Sequence, residues 1–469
     1  TGWLRVDSFP AQRPATDCFS IMSATIPWSQ ASRPLDHEKD EKKEVVATSH
    51  KQELARWADP NACNALTEIV LEDRRRGSAS TSVPALCAQL IAPFLRFNGP
   101  LQKMLYVIGG RNSDFLCLDV VEMFDAWHGK WVTCAPLPAH RVSSTAIALP
   151  DGRLLVAGGY DKRGMFQGVL DTCEMYDPRL QAWQEGGAAS MLRARWGHGS
   201  AALGGKVYVA GGCSSSIGVV EPCRSSMETL ASCEVYDPAS DSWSSIAPLN
   251  IARSGARLVA LEGRYLAVVG GCADVFGQQT PLDSVEIYDP VEGTWTLLAE
   301  GLVHARPTAG VAAIEDSSGN GGSQVFVFGG AGAPKSAEIF DAKALAGDPS
   351  EAAQARSCSE KESQHSVSPS AGTVLTAPEA RMGCVAVAMT LPAPGKRFPV
   401  VDRPSVVVIG GEGLRLAGPR RMPERTILSS VLAFDVATGM WRDDAVIPPM
   451  PTPRTSAAIC VGEGYPWSM

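Results

Sequence analysis

Six times in this chain a short apolar run ends in Gly-Gly, at Gly109-Gly110, Gly158-Gly159, Gly211-Gly212, Gly270-Gly271, Gly329-Gly330 and Gly410-Gly411. The first glycines follow one another at 49, 53, 59, 59 and 81 residues. A period near fifty residues marks a repeat architecture and excludes most single-core folds before any local reading begins. After each pair comes an acidic-aromatic signature: Glu122-Met123-Phe124-Asp125, Glu174-Met175-Tyr176-Asp177, Glu234-Val235-Tyr236-Asp237, Glu286-Ile287-Tyr288-Asp289 and Glu338-Ile339-Phe340-Asp341, with a weaker sixth copy at Leu432-Ala433-Phe434-Asp435. Seven residues beyond the aromatic stands Trp131, Trp183, Trp243, Trp295 or Trp441, whereas repeat five has Gly347. An arginine then precedes a stretch of small residues: Arg141, Arg195, Arg253, Arg306, Arg381 and Arg454.

These pieces read as four short strands per repeat. The Arg segment opens strand a, the run into Gly-Gly is b, the Glu-x-aromatic-Asp segment is c, and the Trp segment is d. β-Branched and apolar runs bounded by Gly, Pro, Asp and Ser favour strands over helices. A single four-stranded sheet cannot bury both faces, but several stacked around an axis do. The Gly pair is expected to supply positive φ and close backbone approach at the end of b, and the aromatics on c and d are expected to fill the gaps between neighbouring sheets.

Over roughly residues 103–461 the combined pattern resembles the kelch repeat family. The resemblance implies an all-β, six-bladed kelch-type β-propeller. Repeat one starts directly on strand b at Lys103, and an extra strand-a motif follows the last repeat at residues 453–459. A C-terminal strand is therefore expected to complete blade one and remove an exposed edge. A rival for that place, residues 90–97, lies at a suitable distance but lacks the arginine motif. In repeat five, Thr373-Val374-Leu375-Thr376 is the candidate strand d, which leaves residues 342–371 as an excursion. Further insertions are expected at residues 315–323 and 391–403.

Residues 1–98 carry no repeat and form a low-complexity, partly helical N-terminal extension ahead of the propeller at 99–469, with residues 47–75 the helical candidates. The acidic-basic run from Asp36 to Glu44 reads as a solvated segment. Because the chain starts at Thr1, it is read as a fragment or processed product. The net charge of −8 falls entirely on the residues after 98, because the extension is balanced. That balance does not favour nucleic acid as a partner. No run of eighteen apolar residues is present, so no membrane partner is expected. The 13 cysteines are scattered without Cys-x-x-Cys spacing. They read as free thiols in a reducing compartment, the cytoplasm or nucleus.

Connectivity locates a binding face. In an up-and-down blade the b–c and d–a loops share one end, and the six repeat arginines belong there. The b–c loop of repeat six adds Arg415, Arg420, Arg421 and Arg425, and that of repeat three is also long. A cluster of guanidiniums clamps carboxylates bidentately, so the candidate partner-binding residues are the six repeat arginines with Arg415, Arg420 and Arg421, and the candidate ligand is an acidic segment of a protein. Some kelch propellers bind acidic motifs through Arg-x-Gly arginines. Arg253-Ser254-Gly255 and Arg381-Met382-Gly383 match that pattern, while Arg141-Val142-Ser143, Arg306-Pro307-Thr308 and Arg454-Thr455-Ser456 depart from it. The competing reading is that the arginine recurs because the blade needs it.

The same resemblance implies a non-catalytic protein-interaction module, either the substrate-recognition part of a cullin-linked ubiquitin ligase or a cytoskeletal, actin-associated scaffold. The ligase version needs a BTB-BACK or F-box region before the propeller; residues 47–97 are too short for the first and show no F-box. The alternative class is a propeller enzyme, such as a sugar epimerase or a copper radical oxidase. The oxidase needs a Tyr, His and Cys set that a chain with 8 Tyr and 7 His, most of the Tyr structural, does not favour. His140, His198 and His304 stand at different offsets from their arginines, against a triple-His metal site. No catalytic residue, metal or cofactor is therefore expected.

Overall fold

The computed structural model describes residues 102–464, apart from 127–128, 218–224, 276–277, 300, 316–322, 342–372, 393–401, 416–423 and 443–446. The chain divides into two units, Thr1–Pro100 and Leu101–Met469. The expectations for the N-terminal extension, for residues 90–97 and for the blade-five excursion lie outside the described residues.

The second unit is a six-bladed β-propeller. Blade four shows the plan: strands a to d are Arg257–Leu261, Tyr265–Val269, Val285–Asp289 and Thr294–Leu297, hydrogen-bonded in that order and antiparallel throughout. All six blades repeat it. In blade five, Thr373–Thr376 pairs with Ser336–Asp341 and supplies strand d in place of the missing Trp segment. Blade one draws strand a from the far end of the sequence, with Ala458–Gly464 paired to Gln102–Ile108 from Ile108↔Ala458 to Gln102↔Gly464. The C-terminal strand thus closes the ring as expected.

Each part of the repeated signature answers a local physical demand. The aromatic and the Trp seven residues later are cross-strand partners, as in Tyr236↔Trp243 and Tyr288↔Trp295, with ring centroids 5.1 and 5.0 Å apart. The Asp after the aromatic accepts hydrogen bonds from the turn amides, as Asp289 does from Val291 at 2.8 Å, and so fixes the c–d hairpin. The Trp indole N–H of one blade donates to a carbonyl of the preceding blade: Trp183 to Ala135, Trp243 to Ala189, Trp295 to Ala247, and Trp131 across the closure to Pro448.

The second glycine of each pair is held between the strand-a entry of its own blade, where a Cβ would clash, and the arginine carbonyl of the next blade, which its amide bonds. Gly271 has φ +98°, and a Cβ there would lie 2.8 Å from the Ser254 carbonyl oxygen. Its amide donates to the carbonyl of Arg306, the arginine of the following blade. Only glycine meets both demands.

One expectation shifts. Strand a starts four residues after the arginine in every blade, at Thr145, Gly199, Arg257, Gly310, Val385 and Ala458, and not at the arginine itself. The reason is a left-handed residue two positions after each arginine: Ser143, Gly197, Gly255, Thr308, Gly383 and Ser456, with φ between +53° and +64°. These six residues hydrogen-bond to one another in a closed cycle. The Gly197 amide donates to Ser143, Gly255 to Gly197, Thr308 to Gly255, Gly383 to Thr308, Ser456 to Gly383, and Ser143 to Ser456. One residue per blade in unbroken order makes this a backbone ring about the propeller axis, on the side of the b–c and d–a loops.

The hydrophobic core is divided into six clusters, one at each blade interface. Between blades three and four, for example, Leu203, Ala210, Cys233 and Leu249 meet Leu258, Leu266, Val268 and Tyr288. Strand b is buried on both faces, so it reads as a continuous apolar run rather than an alternating one. Each such side chain contributes roughly 1.5–3 kcal/mol by leaving water. The expected insertions at 315–323 and 391–403 are partly strand: Glu315 pairs with Ser323 and Pro392 with Asp402, lengthening the a–b hairpins of blades five and six.

Candidate interaction face

The six repeat arginines reach the expected end of the blades, yet their side chains are not on its surface. Arg141, Arg195, Arg253 and Arg381 are 0% exposed, and Arg306 and Arg454 are 1% exposed. Each guanidinium folds back into its own blade. Arg253 Nη1 donates to the carbonyls of Gly270 and Ser284 at 3.1 and 3.0 Å, and Nη2 to Ser284 Oγ and Glu286 Oε1 at 3.2 and 2.5 Å. The end of strand b, the start of strand c and the first residue of the c signature are thereby tied to the entry of strand a. Arg195 repeats the arrangement on Gly211, Ser232 and Glu234, and Arg306 on Gly329, Ser336 and Glu338. Arg454 does so across the closure on Gly109, Val120 and Glu122.

The glutamates are equally engaged. Glu286 also accepts from the amides of Asn250 and Ile251, fastening the d–a loop. Burial pushes the Arg253, Arg381 and Arg454 guanidiniums below their ordinary pKa, and the facing carboxylates oppose that shift.

This placement supports the competing reading, in which the blade itself needs these six residues. A guanidinium at zero exposure, with carbonyl and carboxylate partners already inside its blade, presents no fork to a carboxylate outside. The recurrence of the arginine follows from the recurrence of the blade. Blade six makes the point independently. Its c strand begins Val431-Leu432 and has no glutamate, and Glu379 from the d–a loop takes that place, 2.7 Å from Arg381 and bonded by Ser430 Oγ. Of the remaining candidates, Arg415 ends the strand Glu412–Arg415, and Arg420 and Arg421 lie outside the described residues. Arg425 is exposed, 3.5 Å from Glu412.

The end of the propeller that holds these loops has other surface features. Three of the b–c loops carry an extra two-stranded hairpin: Cys213–Ile217 with Ser225–Thr229 in blade three, Cys272–Val275 with Gln278–Pro281 in blade four, and Glu412–Arg415 with Glu424–Ile427 in blade six. Large apolar side chains are exposed on the remaining loops of the same end. Phe115 and Leu116 are 72% and 60% exposed in the b–c loop of blade one, and Phe166 is exposed in that of blade two. Leu192 and Val303 are exposed in the d–a loops entering blades three and five.

Charged groups are interspersed. Arg163 pairs with Asp161, Arg193 with Glu228, and Arg111 with Glu412 at 3.1 Å. Phe115, Leu116 and Phe166 were missed by motif reading because they belong to no repeat. The available signal was a large apolar residue inside a polar loop, as in Asn112-Ser113-Asp114-Phe115-Leu116.

The histidines go separate ways. His198 is fully buried, bonded through Nε2 to Thr145 Oγ1 at 2.9 Å, and burial pushes its pKa down to about 3. His140 stands 3.9 Å from Asp119, and His304 stands against Glu338. Among the described residues no group of three or more His, Cys, Asp or Glu side chains is placed to hold a metal. The described cysteines are free thiols. Burial pushes the Cys173, Cys233 and Cys460 thiols up to about 12, which suits packing rather than nucleophilic attack. No described helix is long and apolar enough to cross a membrane.

Comparison with known proteins agrees with this architecture. The family model described as "KLHDC2/KLHL20/DRC7 Kelch-repeats domain" matches residues 100–330. Kelch-like protein 25 of Xenopus tropicalis is 32% identical over 48% of this chain and 34% of its own length. Kelch-like protein 26 of Danio rerio is 27% identical over 42% of this chain and 31% of its own. Kelch-like protein 35 of Mus musculus is 31% identical over 42% of this chain and 30% of its own. The matches thus span about a third of the length of these relatives. Six closed blades, the Gly-Gly, Glu-x-aromatic-Asp, Trp and Arg signature in fixed order, and these matches make the chain a member of the kelch-repeat family.

Proposed function

We propose that this propeller is a non-catalytic protein-interaction module whose partner docks on the b–c and d–a loop face. One observation carries the reading. The three extra hairpins lie at that end together with the exposed Phe115, Leu116, Phe166, Leu192 and Val303, whereas the exposed Leu180, Val291 and Met440 of the opposite end belong to the repeated c–d hairpins. Exposed large apolar side chains interspersed with charges on a rigid scaffold are the surface expected of a protein-binding site. In this reading the six buried arginines are the frame of the face, and contact falls to the loop residues. An acidic partner segment would meet Arg163, Arg193 and Arg425, which are exposed. The cytoplasm or nucleus remains the proposed compartment.

The test is affinity capture from cell extract with the full chain and two variants. Phe115→Ser/Phe166→Ser/Leu192→Ser alters the proposed face. Leu180→Ser/Met440→Ser alters exposed residues of c–d hairpins at the opposite end. The first variant is expected to lose a specific partner at unchanged Tm, and the second to retain it. Equal capture by both variants would overturn the assignment of the face. Recovery of cullin components with the wild type supports a ligase adaptor, and recovery of actin a cytoskeletal scaffold.

A further inference from the structure

The six a strands converge on the axis, and the position four residues after each repeat arginine is where they begin. Five of the six copies have a small or medium residue there: Thr145, Gly199, Gly310, Val385 and Ala458. The packing explains the preference. A Cβ on Gly199 would come within 2.6 Å of the Leu258 amide, and one on Gly310 within 3.0 Å of the Ala386 Cβ. The fourth copy has Arg257.

Arg257 does not belong to the repeat arginine system. Its Nε donates to the Ala309 carbonyl at 3.1 Å and its Nη2 to the Cys384 carbonyl at 3.4 Å. From blade four the guanidinium thus spans to blades five and six. It lines an axial cavity of about 130 Å³ to which all six blades contribute, with Ser144, Thr145 and Ser200 among its wall residues. No carboxylate lies in that wall, and among the described residues Arg257 has no ion-pair partner and Nη1 has no hydrogen-bond partner. The titratable group next to it on blade three, His198, is buried and held neutral. All six repeat arginines have a carboxylate within 2.8 Å; this seventh has none.

A guanidinium stays charged in any protein environment. Arg257 is half-buried, and a charge largely withdrawn from water without a counter-charge is unfavourable. The surface that Arg257 keeps faces the axial cavity, and desolvation still lowers its pKa, as for a group that has left bulk water.

We propose that the axial cavity is a binding site for a small inorganic anion, held by Arg257 through Nη1 as its counter-charge. The cavity has room for a halide or a tetrahedral oxyanion with accompanying water. A bound anion would neutralise the charge at the point where the a strands of blades four, five and six meet, and so would couple ion binding to ring stability.

The experiment is thermal unfolding of the full chain in increasing sodium bromide or sodium phosphate, with ionic strength held constant by sodium gluconate, for wild type and Arg257→Met. The expected result is a saturable rise in Tm for the wild type and an apparent affinity at least ten-fold weaker for Arg257→Met. Parallel responses in the two proteins would overturn the proposal. Wild-type crystals soaked in bromide give a second readout that does not depend on the variant folding. An anomalous peak beside the Arg257 guanidinium supports the site, and solvent density alone at that place refutes it. Bromide and phosphate arms separate a halide site from an oxyanion site.

Discussion

Replacing Arg253 by methionine asks whether the repeat arginines serve the blade or a partner. Methionine keeps most of the apolar stem packing. It removes donors to the Gly270 and Ser284 carbonyls and the counter-charge of Glu286, which is itself 0% exposed. Breaking a buried pair by deleting one partner costs about 3–5 kcal/mol, because the surviving charge is left uncompensated. For a unit spanning residues 101–469, an unfolding entropy of about 2.1 cal/mol/K per residue gives roughly 0.8 kcal/mol/K. The expected fall in Tm is therefore about 4–6 °C, measured by circular dichroism or calorimetry. Adding Glu286→Gln neutralises the stranded carboxylate and is expected to recover part of the loss and not all of it, since the Asn250 and Ile251 amides donate to different oxygens of Glu286 and Gln keeps an acceptor for one of them. Partner capture, normalised to folded protein, is expected to be unchanged. A variant with the wild-type Tm and abolished capture would refute the structural role and return the guanidinium to the binding surface.

Three other expectations rest on single structural features. Deleting residues 450–469 removes strand Ala458–Gly464, the Arg454 tie and the Ser456 link of the backbone ring, and should abolish the cooperative unfolding transition; an unchanged transition refutes C-terminal closure. Glu379→Gln should destabilise blade six by an amount between a surface pair's roughly 0.5–1 kcal/mol and a buried pair's roughly 3–5 kcal/mol. Leu432→Glu in the same chain should restore the loss, because it rebuilds the usual glutamate, and an additive loss in urea unfolding would contradict that substitution of roles. His198 has a folded pKa pushed down to about 3 against an ordinary 6.5, so the unfolded chain binds the extra proton between these values and stability falls as pH drops through 6.5 towards 3. His198→Asn should flatten that slope by up to about 1.4 kcal/mol per pH unit, and identical pH profiles would refute it.

The parts of the fold that were legible from sequence are those in which a residue type answers a local demand repeated six times. Gly-Gly requires left-handed backbone beside a neighbouring carbonyl, the Asp caps a turn, and the aromatic and Trp are cross-strand partners at a spacing set by the c–d hairpin. Even the degenerate fifth blade was readable, because Thr373–Thr376 is β-branched and apolar enough to mark a strand without its Trp. The arginines were placed at the right end of the blade, and of the two readings open for them their burial supports the one in which the blade itself needs them. Connectivity locates a Cα and says nothing of where a long side chain folds. Arg253 reaches back to Gly270 and Ser284, and that direction is set by orphan carbonyls at the ends of strands b and c that exist only once the sheet has formed.

The sequence by itself determined the architecture: six units, their strand order, the C-terminal closure, and the end at which the variable loops gather. It could do so because each rule is short-ranged and recurs. The tertiary structure alone decided which charges are available. It buries the six arginines that recur, seats Glu379 where a glutamate is missing from strand c, and leaves Phe115, Phe166 and Leu192 in water. It also sends Arg257 across the axis to carbonyls two blades away. Availability depends on what surrounds a side chain in space, and around a closed ring those neighbours come from blades far apart in the chain. The recurring residues are used up in building the propeller, so what distinguishes this one is found in the residues that do not recur.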